Sequence, residues 1–378
     1  MKPGRPRVAL CIPGGAGAEG SGHFIPALRA LIEGLSEGAD LTVHSLGPRH
    51  PPSREGTCGR ARVIHLDASP GGAGKVLLLV RSVAAEHGRG GVDLVHGVWA
   101  LPSGLGAVVA ARLLGARSLV TVQGGEHAAV AHLGYGSMLR ARTRFPTLLA
   151  CRRADALAAV SEDQAEALRG LGVRRAAIHV IPYGSPLRVP AQRREGLHPG
   201  PLRLLAVSSI HPLKGHETLL RAFALIRAAQ AAVLRVVGGD QRGGAMRALA
   251  AELGVERDVQ WAGEAPASAM HEHYAWGDIL LHTSLHEAQP VVLAEAAAAG
   301  LLVAGSRTGL LADLSPGAVV GVPPGDHEAL ARAIVHLLAD AGAMERRREA
   351  LHLWARMHTM EWTVQQYAAL YRELAAGR

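Results

Sequence analysis

Short apolar runs and amphipathic stretches alternate along most of this chain. Residues 7–13 (RVALCIP) form a run typical of a strand buried on both faces, and after the glycine-rich GGAGAEGSGH the segment FIPALRALIEGL spaces its apolar residues as a helix does. LTVHSL (41–46), VIHL (63–66), DLVHG (93–97), SLVTVQGGE (118–126), ALAAVS (156–161) and HVIPYG (179–184) read as further strands. KVLLLVRSVAAEH, SGLGAVVAARLLG and EDQAEALRGLG read as helices between them. This alternation predicts an α/β fold with a parallel, doubly wound sheet.

The pattern then breaks. Between Ser185 and Pro201 the chain has four prolines, two glycines and little apolar content, which reads as a linker. The alternation restarts with LRLLAVSSI and continues through HETLLRAFALIRAA, VLRVVGG, AMRALAAELG, VQWAG, SAMHEHYAWG, GDILLHTS, VVLAEAAAA, LLVAGS and HEALARAIVHLLAD. Two similar domains follow from this, 1–186 and 202–356, joined by residues 187–201. The tail EWTVQQYAALYRELAAG is an amphipathic helix, so residues 357–378 are expected to pack back on the first domain.

Composition narrows the class. A chain of 378 residues suits two domains, and Cys11, Cys58 and Cys151 lie too far apart for a disulfide framework or zinc cage, which fits a reducing compartment. The first apolar run is too short for a secretory signal, and no eighteen-residue apolar stretch predicts a membrane span. The formal charge of +8 sits in the first half: residues 1–190 hold 22 Lys and Arg against 13 Asp and Glu. Such a surplus suits an anionic lipid surface, an acidic acceptor or nucleic acid, and equally an arginine-rich compositional bias. The basic segment LRARTRFPTLLACRR (139–153) concentrates it. Lysine is rare, with only Lys2, Lys75 and Lys214.

The chemistry centres on HTSLHEAQPVVLAEAAAAG (282–300). A buried strand delivers Glu287 into a loop at its carboxyl end, where open α/β sheets bind ligands. Pro290 stands where a first helical residue would sit, so the free amides of Val291 and Val292 face the same place, and Glu295 projects from the second turn. A buried strand followed by a helix with two solvated glutamates accounts for the same spacing. SSIHPLKGHE sets Lys214 in a corresponding loop, where its charge can neutralise a diphosphate. VVGGD and QWAG end neighbouring strands in small residues, among them Gly239 and Gly263, and leave room for a base or ribose.

Other motifs fail. Gly15, Gly17 and Gly20 satisfy G-x-G-x-x-G, but the second strand ends in Ser45, Leu46 and Gly47 without the acidic residue a dinucleotide requires. Gly20 and Gly22 are read as permitting backbone approach to a phosphate or sugar. GGAGK (71–75) lacks the first glycine and the Ser or Thr of a P-loop, and no His-Glu-x-x-His or Asp-x-Asp occurs. No metal site is expected.

Taken together these residues resemble the retaining glycosyltransferases of family four, with the GT-B fold of two Rossmann-like doubly wound domains facing across a cleft. Glu287 and Glu295 match the family's Glu, seven residues, Glu pattern, and Lys214 with Gly215 its Lys-Gly loop. Smaller matches are VGG at 237–239, Gly263, Asp278, Ser284, the VIP-x-Gly end at 180–184 and the closing 362–371 helix. The resemblance implies a nucleoside-diphosphate sugar as donor, no cofactor and no metal. Glu287 would contact donor sugar hydroxyls, Glu295 the ribose, Lys214 the diphosphate, and the amides of Val291 and Val292 its distal phosphate.

Three positions depart from the family pattern. Ser209 replaces an arginine, Gln123 followed by Glu126 and His127 replaces a histidine at a first-domain strand end, and Leu310 replaces a glycine after Gly309. Gln123 and His127 are therefore read as first-domain catalytic residues beside Glu287, and Ser209 joins the donor set. The reading is a metal-independent hexosyltransferase acting on a glycan, lipid-linked or small acceptor in cell envelope polysaccharide synthesis. It would be cytoplasmic, peripheral on the inner membrane face through its basic domain, with no nucleic acid partner. Alternatives are a nucleotide-sugar-binding relative without transfer, or a GT-B epimerase or phosphorylase.

Overall fold

In a computed structural model of the protein, the residues described are 5–14, 25–47, 55–67, 71–174, 177–185 and 196–377. The chain divides into two compact units, Met1–Tyr183 with Met360–Arg378, and Gly184–Thr359. The first unit begins with β1 (Arg7–Ile12), α1 (Pro26–Leu35), β2 (Asp40–Gly47), β3 (Glu55–Cys58), β4 (Ala61–Asp67), α2 (Gly72–Gly90) and β5 (Leu94–Val98). It continues with α3 (Leu105–Leu114), β6 (Arg117–Thr121), α4 (Ala141–Arg153), β7 (Ala156–Ala159), α5 (Glu162–Gly170) and β8 (Ala177–Val180). Its sheet has the order β3-β4-β2-β1-β5-β6-β7-β8, in which only β3 runs antiparallel to its neighbour. Five of six residues in β1 and all of β5 are buried, as expected for strands covered on both faces.

The second unit contains β9 (Leu202–Val207), α6 (His216–Ala229), β10 (Ala232–Val237), α7 (Ala245–Glu252), β11 (Val259–Gly263) and α8 (Met270–Trp276). After these come β12 (Ile279–His282), α9 (Val291–Ala298), β13 (Leu302–Ser306), α10 (Leu310–Leu314), β14 (Val320–Val322), α11 (His327–Leu338) and α12 (Ala341–Met357). The order β11-β10-β9-β12-β13-β14 is parallel throughout. From β9 the chain builds outward through β10 and β11, then returns to lay β12 on β9's other side. The β9/β12 junction is thus a topological switch point, the place at the carboxyl edge of an open α/β sheet where ligands bind.

The last helix, α13 (Met360–Ala376), belongs to the first unit. It approaches α1 closely at Gly34, where a Cβ would fall 2.5 Å from Val364 Cγ2. A buried polar cluster fixes its rotation. His96 Nδ1 pairs with Tyr371 Oη at 2.7 Å, His96 Nε2 with Thr121 Oγ1 at 2.7 Å, and that hydroxyl with Tyr367 Oη at 3.0 Å. Burial pushes the His96 imidazole down to about 3, so it works there as a neutral donor and acceptor.

Several elements were absent from the sequence reading. They include α12, the short α10 and β14, and β3, which a two-residue turn joins to β4. Segment 139–153, read only as basic, contains the helix α4 with Pro146 inside it. GGAGK proves to be the N-terminal boundary and first turn of α2. Of the expected linker, the end is docked on the second unit: Leu197 packs against its core, and the His198 amide donates to buried Asp278 Oδ1 at 2.8 Å.

Candidate active site

Because β9 and β12 are neighbours, pairing Leu204 with Ile279 and Leu205 with Leu280, the loops that follow them lie side by side. The two backbones interlock. Thr283 Oγ1 donates to the Lys214 carbonyl at 3.1 Å, and the Leu285 amide donates to the Leu213 carbonyl at 2.8 Å. Gly215 permits this approach on two counts: its φ is +64°, and a Cβ there would stand 2.1 Å from the Thr283 carbonyl oxygen. Lys214 Nζ, carried by this turn, donates to Glu287 Oε2 at 2.6 Å. Burial alone would raise the Glu287 carboxyl, but Lys214 and His282 hold it below the usual carboxylate range. A third loop supports the pair, since the Leu310 amide donates to the Ala288 carbonyl at 2.8 Å and Gly309 leaves no room for a Cβ beside that carbonyl.

Pro290 is the N-cap of α9 rather than its first helical residue, which is Val291. The shift is one position and leaves the expectation about the amides intact: Val291 and Val292 open the helix, where amides have no intrahelical acceptor. Glu295 sits on the second turn and is held separately. Tyr274 Oη, from α8, donates to its Oε2, and burial pushes the Glu295 carboxyl up against that opposing hydrogen bond. Ser209, Gly239 and Gly263 lie at or just past the carboxyl ends of β9, β10 and β11. The Ile210 amide donates to the Gly239 carbonyl at 2.8 Å, and the Gly238 amide to the Gly263 carbonyl at 2.7 Å. The eight second-unit residues expected to bind or act on the donor (Ser209, Lys214, Gly239, Gly263, Glu287, Val291, Val292 and Glu295) thus lie at the carboxyl ends of the strands of one sheet or on the loops and helix that follow them. Asp278 lies at the opposite end of β12.

In the first unit, Gln123 and His127 are half-buried on the loop after β6. Gln123 Nε2 donates to the buried Tyr183 hydroxyl. Glu126 organises the loop from within. It accepts the amides of Gly124 at 2.7 Å and of Ala100 and Gln123 at 3.3 Å each, while burial pushes its carboxyl up. Gly20 and Gly22 lie outside the described residues.

Residues 25–184 match the Glycosyl transferase 4-like domain, and residues 201–340 match the family described as Glycosyl transferases group 1. The chain belongs to the group 1 glycosyl transferases, with the GT-B fold. A D-inositol 3-phosphate glycosyltransferase from Geodermatophilus obscurus is 29% identical over 408 aligned positions, covering 97% of this chain and 88% of that protein. Another of that name from Nocardia farcinica is 32% identical over 249 residues, which span 60% of this chain and only 55% of the relative. Among solved structures, sucrose-phosphate synthase from Thermosynechococcus elongatus superposes with a TM-score of 0.82 at 22% identity, covering 99% and 100% of the two chains. Anabaena HepE in complex with UDP-glucose gives 0.72 at 17% identity, covering 97% and 99%.

For a group 1 glycosyltransferase, the departures noted in the sequence acquire structural readings. Leu310, where a glycine was expected, is buried in the core as the first residue of α10. Four residues beside these groups were given no role in the sequence reading: Tyr274, His216 and His282 in the second unit, and Tyr183 in the first. The two tyrosines are hydrogen-bond partners from distant segments, which spacing along the chain does not report. His216 and His282 stand inside the two stretches singled out, SSIHPLKGHE and HTSLHEAQP, but with twenty histidines in the chain the residue type alone assigned them no role.

Proposed function

We propose that this glycosyltransferase moves a hexosyl group from a nucleoside-diphosphate sugar to its acceptor with retention and without a metal. The observation that carries the reading is the Lys214–Glu287 ion pair at the β9/β12 switch point, next to the open amides of α9. Lys214 and the amides of Val291 and Val292 supply positive potential for a diphosphate, with the α9 dipole behind them. Glu287, ionised and with a second oxygen to offer, accepts hydrogen bonds from sugar hydroxyls. Glu295, steered by Tyr274, accepts from the ribose, and Ser209, Gly239 and Gly263 leave the backbone open beside the nucleoside. In the first unit Gln123 and His127 contribute polar groups to the transfer.

In the transfer itself the bond from the anomeric carbon to the diphosphate breaks. The acceptor oxygen bonds to that carbon on the same face, and its proton passes to the departing phosphate oxygen. Stabilising the charge that builds on that phosphate is the largest service the protein supplies. D-inositol 3-phosphate glycosyltransferases among the relatives favour a small polyol or phosphorylated acceptor. A panel of nucleotide sugars, scored for hydrolysis and for transfer, tests the reading. Lys214→Ala and Glu287→Ala are each expected to lower turnover about a hundredfold or more; unchanged turnover in either removes that residue from the site.

The acceptor side is proposed to work at an anionic membrane surface. The exposed face of α4 supports this: Phe145 is 72% exposed, and Arg142, Arg144, Arg152 and Arg153 are exposed around it. An aromatic residue ringed by arginines suits the headgroup region of an acidic bilayer. Among the described residues no helix is long and apolar enough to cross a membrane.

A further inference from the structure

One carboxylate oxygen has two cationic or potentially cationic neighbours. Glu287 Oε2 receives Lys214 Nζ at 2.6 Å and faces His282 Nε2 at 3.9 Å. His282 ends β12, is 5% exposed, and its Nε2 has no hydrogen-bond partner among the described residues. An orphaned ring nitrogen in the interior is costly, so its position so near a buried carboxylate calls for a reason. The other charged or titratable groups facing the imidazole are Lys214 from the β9 loop and His216 from α6, while His286 acts on Glu287. While Lys214 sits on Glu287 the carboxylate is neutralised and the imidazole stays uncharged; burial and Lys214 both push it down, to about 4, against the opposing pull of Glu287.

This arrangement changes once a diphosphate is present, and the inference rests on the donor reading above. The diphosphate draws the Lys214 charge toward itself. Glu287 then keeps its charge in a buried place with its counter-ion displaced, which is the expensive half of a broken buried pair. The group already beside the same oxygen, with a free ring nitrogen, is His282. We propose that His282 is a positioning residue that takes up one proton from solvent as the nucleotide sugar draws Lys214 away, and so holds Glu287 ionised and aimed at the sugar. Donor binding is thereby coupled to proton uptake.

Calorimetric titration of the full chain at pH 7, in buffers of different ionisation enthalpy, tests this directly. The probes are UDP-glucose, UDP-N-acetylglucosamine and GDP-mannose, whose diphosphates are fully ionised diesters, so any proton taken up is bound by the protein and not by the donor. The expected result is uptake of about half to one proton per donor bound, with affinity rising by up to about tenfold per pH unit from pH 8 to pH 6. His282→Gln and His282→Asn should bind without uptake and with a flat pH profile. Lys214→Ala should also lose the uptake, because its Glu287 has recruited His282 beforehand. Binding without uptake in the native chain, or uptake that persists in a folded His282→Gln, overturns the coupling and leaves the donor site standing. If none of the probes binds, the donor site itself fails, and the coupling with it.

Discussion

Gly215 shows how much of the site depends on one residue without a side chain. Its left-handed backbone costs an alanine about 1–2 kcal/mol, and the Thr283 carbonyl would lie within 2.1 Å of the new Cβ. Gly243 has a similar φ, +59°, with nothing within 4 Å of a Cβ, so it isolates the backbone cost. Gly215→Ala is therefore expected to lower stability by more than Gly243→Ala in urea denaturation, and to weaken nucleotide-sugar binding by moving Lys214. Equal losses for the two would mean that the interlocked loops relax freely. Lys214 and Glu287 were legible in the sequence because each follows an apolar run, precedes a helix, and so falls at the carboxyl edge of a sheet. Their contact across 73 residues was not, since it comes from the adjacency of β9 and β12, which the chain order conceals. Tyr274 was hidden because it reaches Glu295 from α8, 21 residues earlier, whereas His282 lies only five residues before Glu287 and just its burial beside that carboxylate marks it out.

Whole elements were readable where their apolar positions were dense and periodic. The buried strands of both sheets and helices such as α1, α6, α11 and α13 follow that rule, and their bounds fall within a few residues of those expected. Helix α12 does not: AGAMERRREALHLWARM buries only Arg348, Leu351, His352 and Ala355, so charge outweighs its narrow apolar stripe. Helix α4 was obscured by Pro146 and by an apolar content that points outward as well as inward, with Thr147, Ala150 and Cys151 buried and Phe145 exposed. That outward content is what the membrane reading uses. Each arginine near an acidic surface is worth about 1 kcal/mol, so reversing two charges should cut vesicle binding by tenfold or more at low salt. Arg142→Glu with Arg144→Glu, and separately Phe145→Ser, should reduce sedimentation with phosphatidylglycerol vesicles while leaving the melting temperature unchanged. Equal binding of the native protein to neutral and acidic vesicles at low salt removes the membrane reading.

At the scale of the whole molecule, the two units share an architecture and also a vulnerability. Among the described residues, each holds two imidazoles that burial pushes far down. His44 and His96 lie in the first unit, pushed down by burial to about 4 and 3, and His216 and His282 in the second, pushed down to about 4 each. In the unfolded chain the same rings titrate near pH 6.5. Between roughly pH 6.5 and 4 the unfolded state binds protons that the folded state refuses, so stability present above pH 6.5 is lost as pH falls through this window. Each such ring contributes about 1.4 kcal/mol per pH unit when fully engaged. Glu126 and Glu295, whose carboxyls burial raises, act in the opposite sense and soften the loss near the lower end. Urea midpoints measured at pH 7, 6 and 5 should therefore decline steeply for both units, and His44→Gln should remove about one proton's worth of slope from the first. A level profile would mean that these rings are charged inside the fold. Donor binding adds a distinction between the units: if His282 is protonated in the complex, saturating nucleotide sugar should flatten the decline for the second unit by about one proton and leave the first as steep as before.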